Sequence, residues 1–141
     1  MRHIQKAPAA PKGTNTLSRL IIPLACLIAS GCSTIQSKNP ADWVGYTDSG
    51  EASYYANMHQ MKKTASGELY KHELKTAAHR TIPFGAKVKV TNVANGKSVV
   101  VKVNDRGPFV RGRIIDLSKS AFSSIGNTAA GLLDVEIEVV K

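Results

Sequence analysis

The stretch AKVKVTNVANGKSVVVKVND, residues 86–105, decides the fold of this chain. Its first part, AKVKVTNV, alternates apolar and polar residues, a pattern that predicts a β-strand with one buried face. The segment ANG follows, and Asn95 and Gly96 both tolerate the positive φ angles of a tight hairpin turn. KSVVVKVND is then the returning strand, which ends at the polar residues Asn104 and Asp105. The stretch therefore predicts a β-hairpin whose second strand runs into a charged segment.

Shorter patterns on both sides of the hairpin indicate a mainly β chain. EASYYA, residues 51–56, predicts a first strand, and LLDVEIEVVK, residues 132–141, predicts the last one. TAAH, residues 76–79, predicts a single helical turn that ends before Pro83. Strands joined by turns and short helices predict a small closed barrel.

DLSKSAFSSIG, residues 116–126, predicts a short helix. Either Asp116 or Ser118 is placed to cap its N-terminus, and Gly126 ends it. The residues expected on its apolar face are Leu117, Ala121, Phe122 and Ile125.

The first 31 residues have the pattern of an export signal. The apolar run LIIPLACLIAS, residues 20–30, follows the basic residues Arg2, Lys6, Lys12 and Arg19. This run is about ten residues long, too short to span a bilayer comfortably. ASGC at residues 29–32 resembles the bacterial lipobox, which implies cleavage before a diacylated Cys32. Ala29 stands where the lipobox usually has Leu, so an ordinary secretory signal is the alternative.

The cysteines and histidines argue against a disulfide or a metal site. If Cys26 leaves with the signal and Cys32 is acylated, no thiol remains for either purpose. His59, His72 and His79 have no recognised ligand spacing. We therefore expect neither a metal nor another cofactor.

The chain is predicted to have three parts: a lipoprotein signal peptide at residues 1–31, a lipidated tether at 32–49 and one domain at 50–141. Its 19 Lys and Arg outnumber its 10 Asp and Glu. The basic excess persists without the signal, and it favours an anionic polymer or a membrane surface as partner. No stacking motif or basic aromatic stripe indicates nucleic acid, so we expect no nucleic-acid partner.

Two carboxylates in predicted loops are candidates for glycosidic chemistry. Asp105 ends a strand before a tight Arg-Gly-Pro turn, and Glu68 follows Gly67, which allows a ligand to approach closely. Glycoside cleavage uses one carboxylic acid to protonate the leaving oxygen, and often a second carboxylate as base or charge stabiliser. Structural roles stay open for both residues. Asp105 is also placed to cap its turn or to pair with Arg106 or Arg113. Glu68 is also placed to be a solvated surface carboxylate.

The segments GEASYYA, TASGELY, TAAHRTIPFGAKVKVTN and GKSVVVKVNDRGPFVRGRIIDLS, together with the terminal strand, resemble the rare lipoprotein A family. The resemblance runs in order from about residue 50 to the C-terminus. Members of that family are bacterial outer-membrane lipoproteins of the septal ring. The resemblance implies a six-stranded double-psi β-barrel with one or two short helices, anchored by lipid in the cell envelope and facing the periplasm.

For function, the resemblance implies an endolytic lytic transglycosylase that acts in cell wall remodelling and division. Such an enzyme cleaves the bond between N-acetylmuramic acid and N-acetylglucosamine without water and leaves a 1,6-anhydro end. The implied partners are peptidoglycan glycan strands, the membrane through Cys32, and septal-ring proteins. Two alternatives stay open: a non-catalytic peptidoglycan-binding lipoprotein, because a fold does not fix a function, and plain hydrolysis of the same bond.

The resemblance also carries roles onto individual residues. Asp105 in NDRGP corresponds to the acid/base, Glu68 in ASGE to a second carboxylate, and His79 in TAAH to a third site residue. Glu68 then either assists the attacking 6-hydroxyl or stabilises the cationic sugar. His79 either orients a carboxylate or binds sugar.

Four more residues complete the predicted site. Tyr54 and Tyr55 stand where the family usually has Trp-Tyr, and they supply an aromatic wall for sugar stacking. Arg106 and Arg113 either brace the loop or meet the carboxyl groups of muramic acid and of stem peptides.

Overall fold

The computed structural model describes residues 39–141, and its six strands close into a barrel. The strands are β1 (Thr47–Tyr54), β2 (Thr76–His79), β3 (Lys87–Asn92), β4 (Ser98–Asp105), β5 (Arg113–Leu117) and β6 (Leu133–Val140). Their order around the barrel is β1-β5-β2-β4-β3-β6. The β1–β5 and β2–β4 pairs are parallel, and the other neighbours are antiparallel. This mixed barrel confirms the fold class expected from the sequence.

The hairpin predicted at residues 86–105 is formed by β3 and β4. β3 alternates exposed and buried residues, with Val88 and Val90 fully buried. At the turn, Gly96 has a φ of 72° and donates its N–H to the Asn92 carbonyl at 2.8 Å. Asn95 does not adopt a positive φ, and its side chain accepts the Lys97 N–H at 2.9 Å.

TAAH forms β2 and not the predicted helical turn, so that prediction was wrong. All four residues of β2 are buried, because the strand lies between β4 and β5 in the barrel wall. A strand buried on both faces shows no alternation of exposed and buried residues, and the polar residues Thr76 and His79 are buried here as well. Its Ala pair favours a helix by intrinsic propensity, which tertiary pairing overrides here.

The predicted short helix is present as α1 (Lys119–Ile125). The Ser118 hydroxyl accepts the Ala121 N–H at 3.3 Å and caps the helix, whereas Asp116 lies in β5. Ala121, Phe122 and Ile125 face the core. Gly126 follows the helix, and a Cβ there would lie 2.5 Å from Leu133 Cδ1.

The barrel begins earlier than the predicted boundary at residue 50. β1 starts at Thr47, and its first three residues pair with β6. A short 3-10 turn (Pro40–Trp43) precedes it, and Trp43 packs against the core. The first 38 residues, with the predicted signal peptide and Cys32, lie outside the described residues. Within residues 39–141, no helix has both the length and the apolar character needed to cross a membrane.

Candidate active site

The long loop between β1 and β2 folds back on itself near one end of the barrel. Met61 donates its N–H to the Tyr70 carbonyl, and Tyr70 donates its own to the Lys62 carbonyl, each at 2.8 Å. At the tip, the Thr64 N–H donates to the Glu68 carbonyl at 2.8 Å. These bonds order residues 61–70 as a small hairpin, which we call the Glu68 loop.

The tip of the Glu68 loop is bonded to the end of β4. The Ser66 N–H donates to the Asn104 carbonyl at 3.1 Å, and the Ala65 N–H donates to Asp105 Oδ1 at 2.8 Å. Asn104 Nδ2 in turn donates to Glu68 Oε2 at 3.0 Å. Glu68 is thus hydrogen-bonded to Asn104, the residue that precedes Asp105 at the end of β4.

The surroundings of Glu68 stabilise its ionised form. The hydrogen bond from Asn104, and then the one from Lys102 Nζ at 2.9 Å, lower the pKa of Glu68 from its ordinary value. Asn104 is buried, whereas the side chains of Glu68 and Lys102 are 47% and 46% exposed. An ion pair between two side chains as exposed as these contributes little to the free energy of folding. The hydrogen bond from the buried amide of Asn104 is therefore the stronger constraint on Glu68.

The carboxylate of Asp105 accepts three hydrogen bonds. Tyr55 Oη donates to Oδ2 at 2.6 Å, and the N–H groups of Ala65 and Arg106 donate to Oδ1 at 2.8 and 2.9 Å. The side-chain pairing with Arg106 or Arg113 that the sequence left open is not the arrangement found. Donors from the residue that follows β1, from the Glu68 loop and from the turn after β4 fix the orientation of the carboxylate.

The two neighbouring tyrosines point in different directions, because successive side chains at a strand end alternate faces. Tyr54 packs on Phe122 with ring centroids 4.8 Å apart and donates its hydroxyl to the Thr128 carbonyl. Tyr55 faces Asp105 instead. Burial, and then the Asp105 hydrogen bond, raise the pKa of Tyr55, so its hydroxyl is a neutral donor. The aromatic wall predicted from both residues is therefore divided between two faces.

His79 ends β2 and is 3% exposed. Its Nδ1 accepts the N–H groups of Thr81 and Ile82, both at 3.1 Å. Burial lowers the pKa of His79 to about 4, so the ring is neutral at pH 7. These bonds make His79 a support for the turn that follows β2.

Arg106 and Arg113 both make contacts within the protein. Arg106 Nη1 donates to the carbonyls of His79 at 3.2 Å and Ile82 at 2.9 Å, and its guanidinium lies 4.0 Å above the Phe84 ring. Arg113 forms an ion pair with Asp116 on its own strand. Of the two roles the sequence left open for these arginines, these contacts favour bracing.

Sequence reasoning missed Asn104 and Asp116 as members of this region. Ala78 of β2 is aligned with Asp105 on one side and with Asp116 on the other, so the two acids share a level of the barrel wall. Asp116 Oδ1 also accepts the Ser53 hydroxyl at 2.7 Å. A carboxylate between Ile115 and Leu117 in an apolar run was the available signal for Asp116.

Both predicted acids are reached by solvent, since Glu68 is exposed and Asp105 is half-buried. Phe109, on the loop after Asp105, is 80% exposed.

A groove of about 670 Å³ lies away from these two acids, over β1, β3 and β6, and Asp48, Lys89 and Glu136 are among its lining residues. Within residues 39–141, no three His, Cys, Asp or Glu side chains form a group suited to a metal ion.

Comparison with known proteins gives a family match over most of the barrel. The family model DPBB_1, described as Lytic transglycolase, matches residues 47–137. The proteins named endolytic peptidoglycan transglycosylase RlpA from Vibrio cholerae and Campylobacter jejuni are 52% and 50% identical to this chain. The alignments cover 73% and 69% of this chain, but only 38% and 35% of those proteins. The chain thus spans little more than a third of the length of these relatives.

Solved structures support the fold. The Streptomyces papain inhibitor superposes with a TM-score of 0.58 at 22% identity, covering 70% of this chain and 97% of its own. A Clavibacter michiganensis expansin superposes with a TM-score of 0.55 at 22% identity, covering 68% and 51%. At this identity the likeness concerns the double-psi β-barrel architecture alone.

Proposed function

Because this chain belongs to the lytic transglycolase family, we propose that it is an endolytic peptidoglycan lytic transglycosylase. The relatives that carry that activity in their names are about half identical over this domain. The observation that carries the proposal is that the Glu68 loop is hydrogen-bonded to the end of β4, the strand end that carries Asp105. Two carboxylates held at one accessible site are what glycosidic cleavage needs.

In the proposed reaction, protonated Asp105 gives its proton to the oxygen that joins N-acetylmuramic acid to N-acetylglucosamine. The bond from that oxygen to the anomeric carbon breaks, and N-acetylglucosamine leaves with a hydroxyl group. The 6-hydroxyl of the muramic acid attacks its own anomeric carbon, and its proton passes to the Asp105 carboxylate. Asp105 returns to its protonated form, no water is consumed, and a 1,6-anhydro end remains.

Glu68 is proposed to act in its ionised form. The hydrogen bonds from Asn104 and Lys102 favour the carboxylate, which suits a group that stabilises positive charge on the sugar or orients the attacking 6-hydroxyl. The same bonds argue against Glu68 as the proton donor. The acid/base role is proposed for Asp105 because its NDRGP segment carries the resemblance to the family.

The remaining predicted site residues are given supporting roles. His79 and Arg106 are bonded to each other and to the turn after β2, and we propose that they hold the Asp105 end of the barrel in shape. Arg113 is proposed to hold the carboxylate of Asp116 in place through their ion pair. We leave Tyr54 out of the substrate site, because its hydroxyl and ring are both used inside the fold.

We also propose that the protein is held in the bacterial cell envelope by a lipid on Cys32, facing the periplasm from the outer membrane. The support is the lipobox-like ASGC segment and the apolar run before it. Peptidoglycan lies in that compartment, and the basic excess of the chain suits a wall polymer that carries carboxyl groups. Septal-ring proteins remain proposed partners from the family resemblance.

Digestion of purified sacculi followed by mass spectrometry of the soluble products tests the activity. The proposal expects 1,6-anhydro-muramic ends. Reducing ends would instead indicate hydrolysis. Intact strands that retain bound protein would indicate a peptidoglycan-binding lipoprotein without catalysis. Each of the last two results would contradict the transglycosylase proposal.

A further inference from the structure

The two oxygens of the Asp105 carboxylate have different surroundings. Oδ1 accepts the main-chain N–H groups of Ala65 and Arg106. A carboxylate oxygen has about two lone-pair positions, so these bonds occupy both positions of Oδ1. Within residues 39–141, Oδ2 accepts one hydrogen bond, from the Tyr55 hydroxyl at 2.6 Å. Oδ2 is therefore the oxygen with a lone pair left for a substrate.

The ring of Tyr55 is held from two sides. It packs against Tyr70 with ring centroids 4.4 Å apart and meets His59 in an edge-to-face arrangement with centroids 5.5 Å apart. Tyr70 is itself 2% exposed, and its hydroxyl is bonded to His72 Nδ1 at 2.8 Å and to the Lys119 N–H at 3.2 Å. Since its neighbours fix the ring, the hydroxyl of Tyr55 has a defined position relative to Oδ2.

We infer that Tyr55 is a positioning residue that aims Asp105 Oδ2 at the glycosidic oxygen, which gives it a role different from sugar stacking. The inference rests on the proposed function, because it needs Asp105 to be the acid/base. Oδ1 is tied to the main chain, so the proton must leave from Oδ2 and return to it. The Tyr55 hydroxyl leaves one lone pair of Oδ2 available and fixes its direction.

The hydroxyl also stabilises the carboxylate that forms when Asp105 has given up its proton. A neutral donor beside a carboxylate favours the ionised form. Tyr55 is suited to this task because burial and the neighbouring acids keep its phenol protonated. Losing the hydroxyl should therefore change both the rate of the chemical step and its pH dependence.

Adjacent tyrosines supply the test and its control. Tyr55→Phe deletes the hydroxyl that bonds Asp105, whereas Tyr54→Phe deletes one that bonds the Thr128 carbonyl. For Tyr55→Phe we expect a roughly ten- to hundredfold fall in the rate of anhydro-end release at saturating sacculi, as for losing a hydrogen bond to a charged group. The sacculus concentration giving half the maximal rate should stay the same. Tyr54→Phe should retain the parent rate.

The pH profile separates positioning from general loosening. With one donor fewer, the carboxylate is less favoured, so the ionisation limb of the profile should move to higher pH in Tyr55→Phe. Incorporating 3-fluorotyrosine at position 55 keeps the hydroxyl and makes it a stronger donor. That limb should then move to lower pH, and this variant also serves if Tyr55→Phe does not fold.

The possible results distinguish the inference from the function beneath it. A parent chain that releases no anhydro ends overturns the proposed function, and the inference with it. An active parent whose rate and pH profile are the same in Tyr55→Phe and Tyr54→Phe overturns the role of Tyr55 alone. A limb that moves in the same direction in Tyr55→Phe and in the fluorotyrosine variant would overturn it as well.

Discussion

The side-chain amide of Asn104 donates a hydrogen bond to Glu68 Oε2 at 3.0 Å, across 36 residues of sequence. Asn104 is 3% exposed, and its own carbonyl accepts the Ser66 N–H from the same loop. One buried residue at the end of β4 therefore fixes both the tip of the Glu68 loop and the carboxylate that the tip carries. Its neighbour Asp105 is bonded to the same tip through Ala65.

Replacing Asn104 should disturb the Glu68 loop more than replacing Lys102. Asn104→Leu removes a buried amide and leaves Glu68 with its exposed partner, so we expect a loss of about 1–3 kcal/mol in the free energy of unfolding and a lower rate of sacculus digestion. Lys102→Gln should cost less than about 1 kcal/mol, because exposed ion pairs contribute little. Urea unfolding of the two variants measures the difference, and equal losses would contradict it.

The neutral state of His79 predicts a pH-dependent stability. Its pKa is about 4 in the folded protein because of burial, against an ordinary value near 6.5. The unfolded chain therefore binds the proton first, and the free energy of unfolding should fall as pH decreases from about 6.5 to 4. The loss attributable to His79 is at most about 3 kcal/mol.

Urea unfolding between pH 7 and pH 4 measures this loss. His79→Asn keeps an acceptor but does not titrate, so its slope with pH should be shallower than that of the parent. His59→Gln replaces a half-buried histidine and serves as the matched control. A parent slope in His79→Asn would show that another group causes the acid sensitivity.

The sequence was most informative where one face of a strand is buried and the other is solvated. That condition holds for β3, and its alternation predicted the hairpin. It fails for β2, which is buried on both faces, and the Ala pair there indicated a helix instead. The period of a pattern is visible only when polar residues mark one side of the element.

The sequence predicted the charged residues of the candidate site but not the hydrogen bonds that join them. Glu68 and Asp105 stand out as acids beside glycine-containing turns. The role of Asn104 depends on a loop that returns from more than thirty residues away, which local pattern does not reveal. Tyr54 and Tyr55 were given one role although adjacent residues of a strand point to opposite faces. Which of them faces the site depends on the packing of Tyr54 against Phe122, which local pattern does not reveal.

The lipid anchor makes a separate prediction about Cys32. Cys32→Ser removes the thiol that would be acylated, so the protein should move from the membrane fraction to the soluble periplasmic fraction. Cys26→Ser is the matched control, because that residue lies inside the apolar run and should leave with the signal. Fractionation followed by immunoblotting reads out both variants. Sedimentation of Cys32→Ser with membranes would contradict a lipid at this position.

The central claim is that Asp105 transfers the proton in glycan cleavage, and two matched Asp→Asn variants test it most directly. Asp105→Asn keeps the size of the side chain but removes its acid, whereas Asp134→Asn changes an exposed Asp on β6. We expect Asp105→Asn to fold like the parent and to release fewer than about one hundredth of the 1,6-anhydro ends from sacculi, since acid–base catalysis typically contributes a hundredfold or more. Asp134→Asn should release them at the parent rate. A folded Asp105→Asn protein that releases anhydro ends as fast as Asp134→Asn would contradict the claim.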